Sequence, residues 1–201
     1  MTITWCGHAC FLLESGCGRV VFDPYAPGKI PGWKLPELEA ELVLCSHGHR
    51  DHDYAEGVKL SGQLFTGKVT KIASFHDDRG GALRGDNTIS LVEAEGLRVV
   101  HMGDIGCQLT DEQIKALGKV DVMLIPVGGH YTVDAAEAWE IVRAVKPGVV
   151  IPMHYRGRGF GFPVIGKVEP FLKLAGNVRE IAGMSWEVDL SIAPATIVFR
   201  R

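Results

Sequence analysis

The chain has 201 residues, 46 % hydrophobic and 22 % charged, which excludes a disordered polar tail and leads us to expect one domain over residues 1–201. Twenty-one Lys and Arg against twenty-four Asp and Glu leave a net charge of -3, which offers no broad attractive field for a polyanion, so nucleic acid is not an expected partner. Five cysteines (Cys6, Cys10, Cys17, Cys45 and Cys107) form an odd set without C-x-x-C spacing and suit neither a disulfide framework nor a zinc ribbon.

Residues 1–11 have no basic opening and no sustained apolar run, and no later segment is apolar enough to span a bilayer. A cytoplasmic location is the expectation that follows. Residues 2–6, 10–14 and 19–23 are β-rich, with Ser15-Gly16-Cys17-Gly18 supplying hairpin turn chemistry between the last two. Residues 24–36 are too rich in Pro and Gly for a helix or central strand and predict a surface loop, followed by an apolar strand over 42–45. Strands continue over 69–75, 88–93 and 98–102. Thr110 and Gln113 then form a capping-box signature for a short helix that Gly118 stops. Beyond it the pattern predicts a buried strand over 121–125, a helix over 133–145 ended by Pro147-Gly148, and a strand over 149–153. A Gly-rich loop over 156–163, a helix over 168–175 and a closing strand over 196–200 complete the chain. Hairpins first and alternating strands and helices later point to α/β architecture with mixed sheets.

The segment Ser46-His47-Gly48-His49-Arg50-Asp51-His52-Asp53 carries three imidazoles and a carboxylate within six positions, directly after an apolar strand. Imidazole and carboxylate suit zinc and related cations, and strand carboxyl ends face the crevice where α/β sheets hold ligands. The spacing of two puts His47 and His49 on one side of an extended turn, leaving Asp51 and His52 to face a second position. A polar turn that happens to be rich in His would leave His76, Asp104 and His154 unexplained, each of which also falls just past a β-rich run. Together these seven residues supply the ligands that two cations need.

The H-x-H-x-D-H segment, followed in order by His76, Gly103-Asp104 and His154, resembles the metallo-β-lactamase fold superfamily over most of the chain. Trp5-x-Gly7-His8 and Asp23-Pro24 resemble its branch of small metal-dependent hydrolases that includes ascorbate-phosphate lactonases and is related to certain phospholipid phosphodiesterases. The resemblance implies an αβ/βα four-layer sandwich, two mixed β-sheets flanked by helices, with two divalent metal ions at one edge. By the same likeness His47, His49 and His76 hold one metal, Asp51, His52 and His154 the other, and Asp104 bridges them. Asp23 sits where the superfamily has a carboxylate that orients a ligand without binding metal. Zinc is the expected ion, with manganese, iron and nickel compatible with the same donors. Two cations about 3.5–4 Å apart share a water and lower its pKa from about 16 towards 7, providing a metal-bridged hydroxide. Asp51 is either the base for that water or a ligand alone.

The remaining candidates concern the substrate. His8 is read as lining the pocket or as a structural hydrogen-bonding group, His130 as touching substrate or as a capping or solvent-exposed residue, and His101 as structural. Arg79 and Arg84 after His76, with Arg156 and Arg158 after His154, are four guanidinium groups that would clamp a phosphate or carboxylate if they converge; otherwise they are solvated loop charges. The expected activity is hydrolysis of a small anionic ester, lactone or phosphodiester. A nuclease and a non-catalytic metal-binding or sensing protein are the alternatives.

Overall fold

The computed structural model describes residues 1–200. The chain opens with an antiparallel meander of β1 (Thr2–Gly7), β2 (Cys10–Ser15) and β3 (Gly18–Phe22). Ser15 Oγ donates to the Gly18 carbonyl at the β2–β3 turn, and Gly18 closes it at a φ of 111°. Short strands β4 (Leu38–Ala40), β5 (Leu42–Leu44) and β6 (Val58–Leu60) follow, then the longer β7 (Lys68–Phe75), β8 (Asp86–Ala94) and β9 (Leu97–His101). The second half alternates: α1 (Asp111–Leu117), β10 (Val122–Pro126), α2 (Ala135–Val145), β11 (Val149–Met153), α3 (Glu169–Ala175), β12 (Val178–Ala182), β13 (Ser185–Glu187) and β14 (Ala195–Arg200).

These strands form a five-stranded sheet in the order β13-β1-β2-β3-β5, a seven-stranded sheet in the order β12-β14-β11-β10-β9-β8-β7, and a β4-β6 ribbon. β10 and β11 are buried along their whole length, as parallel strands covered on both faces must be. The small sheet alternates instead: Phe11, Leu13, Val20 and Phe22 point into the main core, while Cys10 and Val21 point to the other side. The two sheets face each other across that core. Trp5 on β1 meets Phe199 on β14 with ring centroids 6.3 Å apart, and Phe22 on β3 stacks on His101 of β9 at 5.0 Å.

The mixed-sheet sandwich agrees with the expected fold class. Its outer layers differ from each other. Every buried helical residue, among them Leu117, Ile141, Val142 and Phe171, belongs to the main core. The outer face of the small sheet is covered by the 24–36 loop and the ribbon, through Tyr25, Ile30, Leu38, Ala40 and Val58.

Thr110 and Gln113 form the expected capping box on α1. α2 begins two residues later than the apolar spacing suggests, because the Asp134 carboxylate accepts the Ala136 and Glu137 N–H groups and so takes the N-cap position. Four strands went unread. β4, β6 and β13 have three residues each, and β12 is an edge strand with no buried residue, so none carries enough apolar alternation to register. Among the described residues no helix is long and apolar enough to cross a membrane, and all five cysteines are free.

Candidate metal centre

Five strands end at one rim, and each delivers a polar side chain just past its last residue. Asp23 follows β3, His47, His49, Asp51 and His52 follow β5, His76 follows β7, Asp104 follows β9 and His154 follows β11. The turn from His49 to Asp53 is closed by the His52 and Asp53 N–H groups, both donating to the His49 carbonyl at 2.8 and 2.7 Å. It is clamped from outside by Ala26 N–H on the Arg50 carbonyl and Tyr54 N–H on the Pro24 carbonyl, both 2.9 Å.

The ligand atoms of His47, His49 and His76 lie within 4.8 Å of one another, as do those of His47, His52 and Asp104. Asp104 is the centre of the arrangement. Its Oδ2 lies 3.2 Å from His52 Nε2, 3.5 Å from His76 Nε2 and 3.1 Å from His154 Nε2. Asp51 Oδ2 is 3.8 Å from His52 Nε2. The seven residues singled out from the sequence are thus brought to one place from both sheets.

Whether these groups fit cations is tested by which atoms lack partners. His47 Nε2, His52 Nε2 and Asp104 Oδ1 are buried and make no hydrogen bond. His52 Nε2 is near Asp104 Oδ2 but not aligned for a hydrogen bond with it. Buried polar atoms left this way are costly unless something binds them, and imidazole nitrogens converging on a carboxylate match the donor chemistry of zinc-like ions. The residues fit the binding of a divalent cation.

The opposite ring nitrogens are held. His52 Nδ1 is 2.9 Å from Asp23 Oδ2, and Asp23 also accepts the Ser46 N–H and hydroxyl, both at 2.7 Å. Ser46 Oγ in turn sits 2.9 Å from His47 Nδ1. One buried carboxylate therefore fixes the direction of two imidazoles, which turns Nε2 of each toward the centre. Asp104 is held through its backbone: its N–H donates to Asn87 Oδ1 at 2.9 Å, while Asn87 Nδ2 donates to the Met102 carbonyl at 2.9 Å and Ser74 Oγ at 2.7 Å. Gly103 is at a φ of 59°, and a Cβ there would lie 2.2 Å from Asn87 Oδ1. Asn87, Ser46 and Gly103 were missed as site residues because their roles depend on contacts across the fold.

The buried groups of the centre shift one another's protonation. Burial pushes the Asp104 carboxyl up, but the His154 and His52 imidazoles outweigh it and hold it well below its ordinary range. Burial likewise pulls His52 down, and the Asp104 and Asp23 carboxylates win, holding it well above. His47 is lowered to about 4 by burial and by His52, and His76 is lowered chiefly by burial.

The centre opens on a cavity of about 350 Å³. His49, Asp51, His76, Asp104 and His154 form its floor, and Leu83, Arg84, Tyr131 and Phe162 form the facing wall. Of the four guanidinium groups that the sequence left as either a converging clamp or solvated loop charges, one, Arg84, lines this cavity. Its Nη2 donates to the His130 carbonyl at 2.9 Å and its guanidinium lies over the Tyr131 ring at 5.8 Å from the centroid. Arg156 and Arg158 line a separate cleft that shares no residue with this cavity, because Arg156 Nε is bound to the Ile165 carbonyl at 2.7 Å within a folded-back Gly-rich loop. Arg79 is exposed. His130 is exposed too, with Tyr131 in the wall instead, and His8 is buried behind His154, outside the cavity lining. His101 is structural: its Nε2 is 2.8 Å from the Ala9 carbonyl.

Residues 2–154 match the model of the beta-lactamase superfamily domain. A UPF0173 metal-dependent hydrolase of Archaeoglobus fulgidus is 33 % identical over 83 % of this chain and 87 % of its own. One of Thermoplasma acidophilum is 32 % identical over 89 % and 92 %. Among solved structures, a candidate Zn-dependent hydrolase of the metallo-β-lactamase superfamily from Thermotoga maritima superimposes with a TM-score of 0.79 and 31 % identity, covering 99 % of both chains. A metallo hydrolase from Ignicoccus hospitalis, at 22 % identity, shares the fold with a TM-score of 0.67 over 94 % of this chain and 99 % of its own. With the family model, these relatives and the site agreeing, the chain belongs to the metallo-β-lactamase superfamily, within its UPF0173 metal-dependent hydrolases.

Proposed function

We propose that this protein is a dinuclear metal-dependent hydrolase of a small anionic ester, lactone or phosphodiester. The observation that carries the reading is Asp104 Oδ2, within 3.1–3.5 Å of ring nitrogens from His52, His76 and His154, a position that joins the two ligand groups. His47, His49 and His76 would hold one cation, His52, His154 and Asp51 the other, with Asp104 between them. When bound, the pair supplies Lewis-acid activation of water and of the scissile carbonyl or phosphoryl group.

The chain's own residues supply the rest. Asp51 is 27 % exposed and faces the cavity, so its carboxylate can take a proton from an attacking water and release it to solvent. Arg84 offers a cation about which an anionic substituent would orient, while Leu83, Tyr131 and Phe162 exclude water from one side of the substrate. One guanidinium and an apolar wall suit a small molecule carrying one anionic group. They do not provide the basic track that a polynucleotide requires.

Metal analysis combined with paired substrates tests this. The protein is expected to hold two equivalents of zinc or a related ion and to turn over anionic esters, lactones or phosphodiesters at least about tenfold better than neutral matched ones. Asp51→Asn, compared at matched metal content, is expected to lower kcat by about 10²–10⁴. Full activity with both metals retained would remove Asp51 from proton transfer, and tight metal binding without turnover of any such substrate would favour a sensing role.

A further inference from the structure

We propose that His8 is a ligand of the inner cation, completing an imidazole set of His8, His52 and His154. This rests on the dinuclear reading above and goes beyond it by adding a ligand from outside the five strand ends. His8 is 1 % exposed and neither ring nitrogen has a hydrogen-bond partner. A fully buried imidazole with both nitrogens idle forfeits its hydration with nothing in return, which a purely structural role does not explain. Its ligand atom lies within 4.8 Å of those of His52 and His154, and its ring centroid is 3.9 Å from that of His154.

The backbone fixes this placement. His8 has a φ of 55°, a left-handed conformation uncommon for a side chain of its size, and the preceding Gly7 is at 107° with the space of a Cβ filled by the Trp33 ring. Trp5 Nε1 and the His154 N–H both donate to the His8 carbonyl, at 2.9 and 3.3 Å. The same residue thus holds the backbone of His154 and sets its own ring beside that imidazole. Phe162 covers the ring from a third side at 5.4 Å, so substrate does not reach it.

The consequence is an asymmetric pair of sites. The inner cation would meet three imidazoles together with the Asp51 and Asp104 carboxylates, whereas the outer cation at His47, His49 and His76 keeps a face open to the cavity. The inner ion is then held more tightly and the outer one exchanges first.

The test is a metal titration of the apoprotein with Zn²⁺ against a chromogenic chelator and with Co²⁺ read by its visible absorption. His8→Asn is the variant of choice, since Asn tolerates the positive φ and keeps the carbonyl contacts while being too short to reach the ion. The wild type is expected to bind two equivalents with unequal affinities. His8→Asn should weaken the tighter one at least ~10-fold and alter the spectrum of the first cobalt equivalent while leaving the second unchanged. Two equivalents with wild-type affinities and spectrum would overturn the proposal, and a wild type that binds no metal would overturn the dinuclear reading instead. Should the variant not fold, a zinc-loaded wild-type crystal with anomalous data decides: a His8 nitrogen at about 2.0–2.3 Å from a zinc supports it, and one beyond about 3 Å overturns it.

Discussion

Asp23 lies outside the cavity lining, yet three of its contacts set how the cluster points. With Ser46 N–H and Oγ on it at 2.7 Å and His52 Nδ1 at 2.9 Å, the carboxylate fixes one imidazole directly and a second, His47, through the serine. Asp23→Ala would leave Ser46 and His52 without their buried acceptor, and His52 would lose the negative charge behind it. We expect metal affinity to fall about 10–100-fold with the fold retained, measured by chelator competition alongside circular dichroism; unchanged affinity would mean that His52 is oriented by packing alone. The candidate ligands of the H-x-H-x-D-H run were legible in the sequence because that run is local and dense. Asn87 was not, since it reaches Asp104 only after β8 and β9 pair, and a lone Asn in a strand carries no signal of that contact. His8 was visible as a residue but not as a neighbour of His154, which is 146 positions away in the chain.

At the scale of elements, the segment 77–85 behaves as a unit organised by one acid. The Asp77 carboxylate accepts four backbone N–H groups, from Arg79, Gly81, Leu83 and Arg84, at 2.8–3.0 Å, and these bonds outweigh its burial and hold it below the ordinary carboxylate range. The loop carries Leu83 and Arg84 into the cavity wall, so Asp77, which does not line the cavity itself, positions two of its wall residues. Asp77→Ala should speed amide hydrogen exchange over residues 79–85 and raise KM for an anionic substrate about 3- to 10-fold, with kcat and metal content near wild type. Unchanged exchange would show that the loop is held by other contacts. Sequence reading marked Arg79, Arg84, Arg156 and Arg158 as equivalent, since each follows a candidate ligand histidine within the same loop. What separates them is loop geometry: Asp77 turns Arg84 inward, whereas the Gly157 N–H bond to the Phe160 carbonyl at 3.1 Å folds the other loop back and carries Arg156 and Arg158 into their own cleft. The central strands were readable from their apolar runs. The edge strands β12 and β13 take their conformation from the neighbours they pair with, which no local pattern records.

For the molecule as a whole, the centre lies where the two sheets meet, with His47, His49 and His52 following a strand of the small sheet and His76, Asp104 and His154 following strands of the large one. Cations bound there would tie the sheets together, so their binding free energy enters the stability of the fold. Two ions at about 100 times their Kd would add about 2.7 kcal/mol each. In a chain of this size each kcal/mol shifts Tm by about 2–4 °C, so chelation should lower Tm by roughly 10–20 °C in calorimetry. The chelated protein should also become acid-sensitive in a defined direction. Burial holds His8, His47, His76 and His101 below their ordinary range, His47 down to about 4. Below about pH 6.5 the unfolded chain binds more protons at these positions than the folded one, so they contribute stability above about 6.5 that is lost on acidification. His52 has the opposite sign: burial lowers it, but Asp104 and Asp23 raise it well above its ordinary range, so its contribution is full below about 6.5 and fades as pH rises through its folded value. Four groups oppose one, and the urea midpoint of the chelated protein is expected to fall steadily from pH 7 to about 4.5. A midpoint that rises on acidification would mean that the His52 ion pairs with Asp23 and Asp104, rather than the neutral buried imidazoles, dominate the metal-free centre.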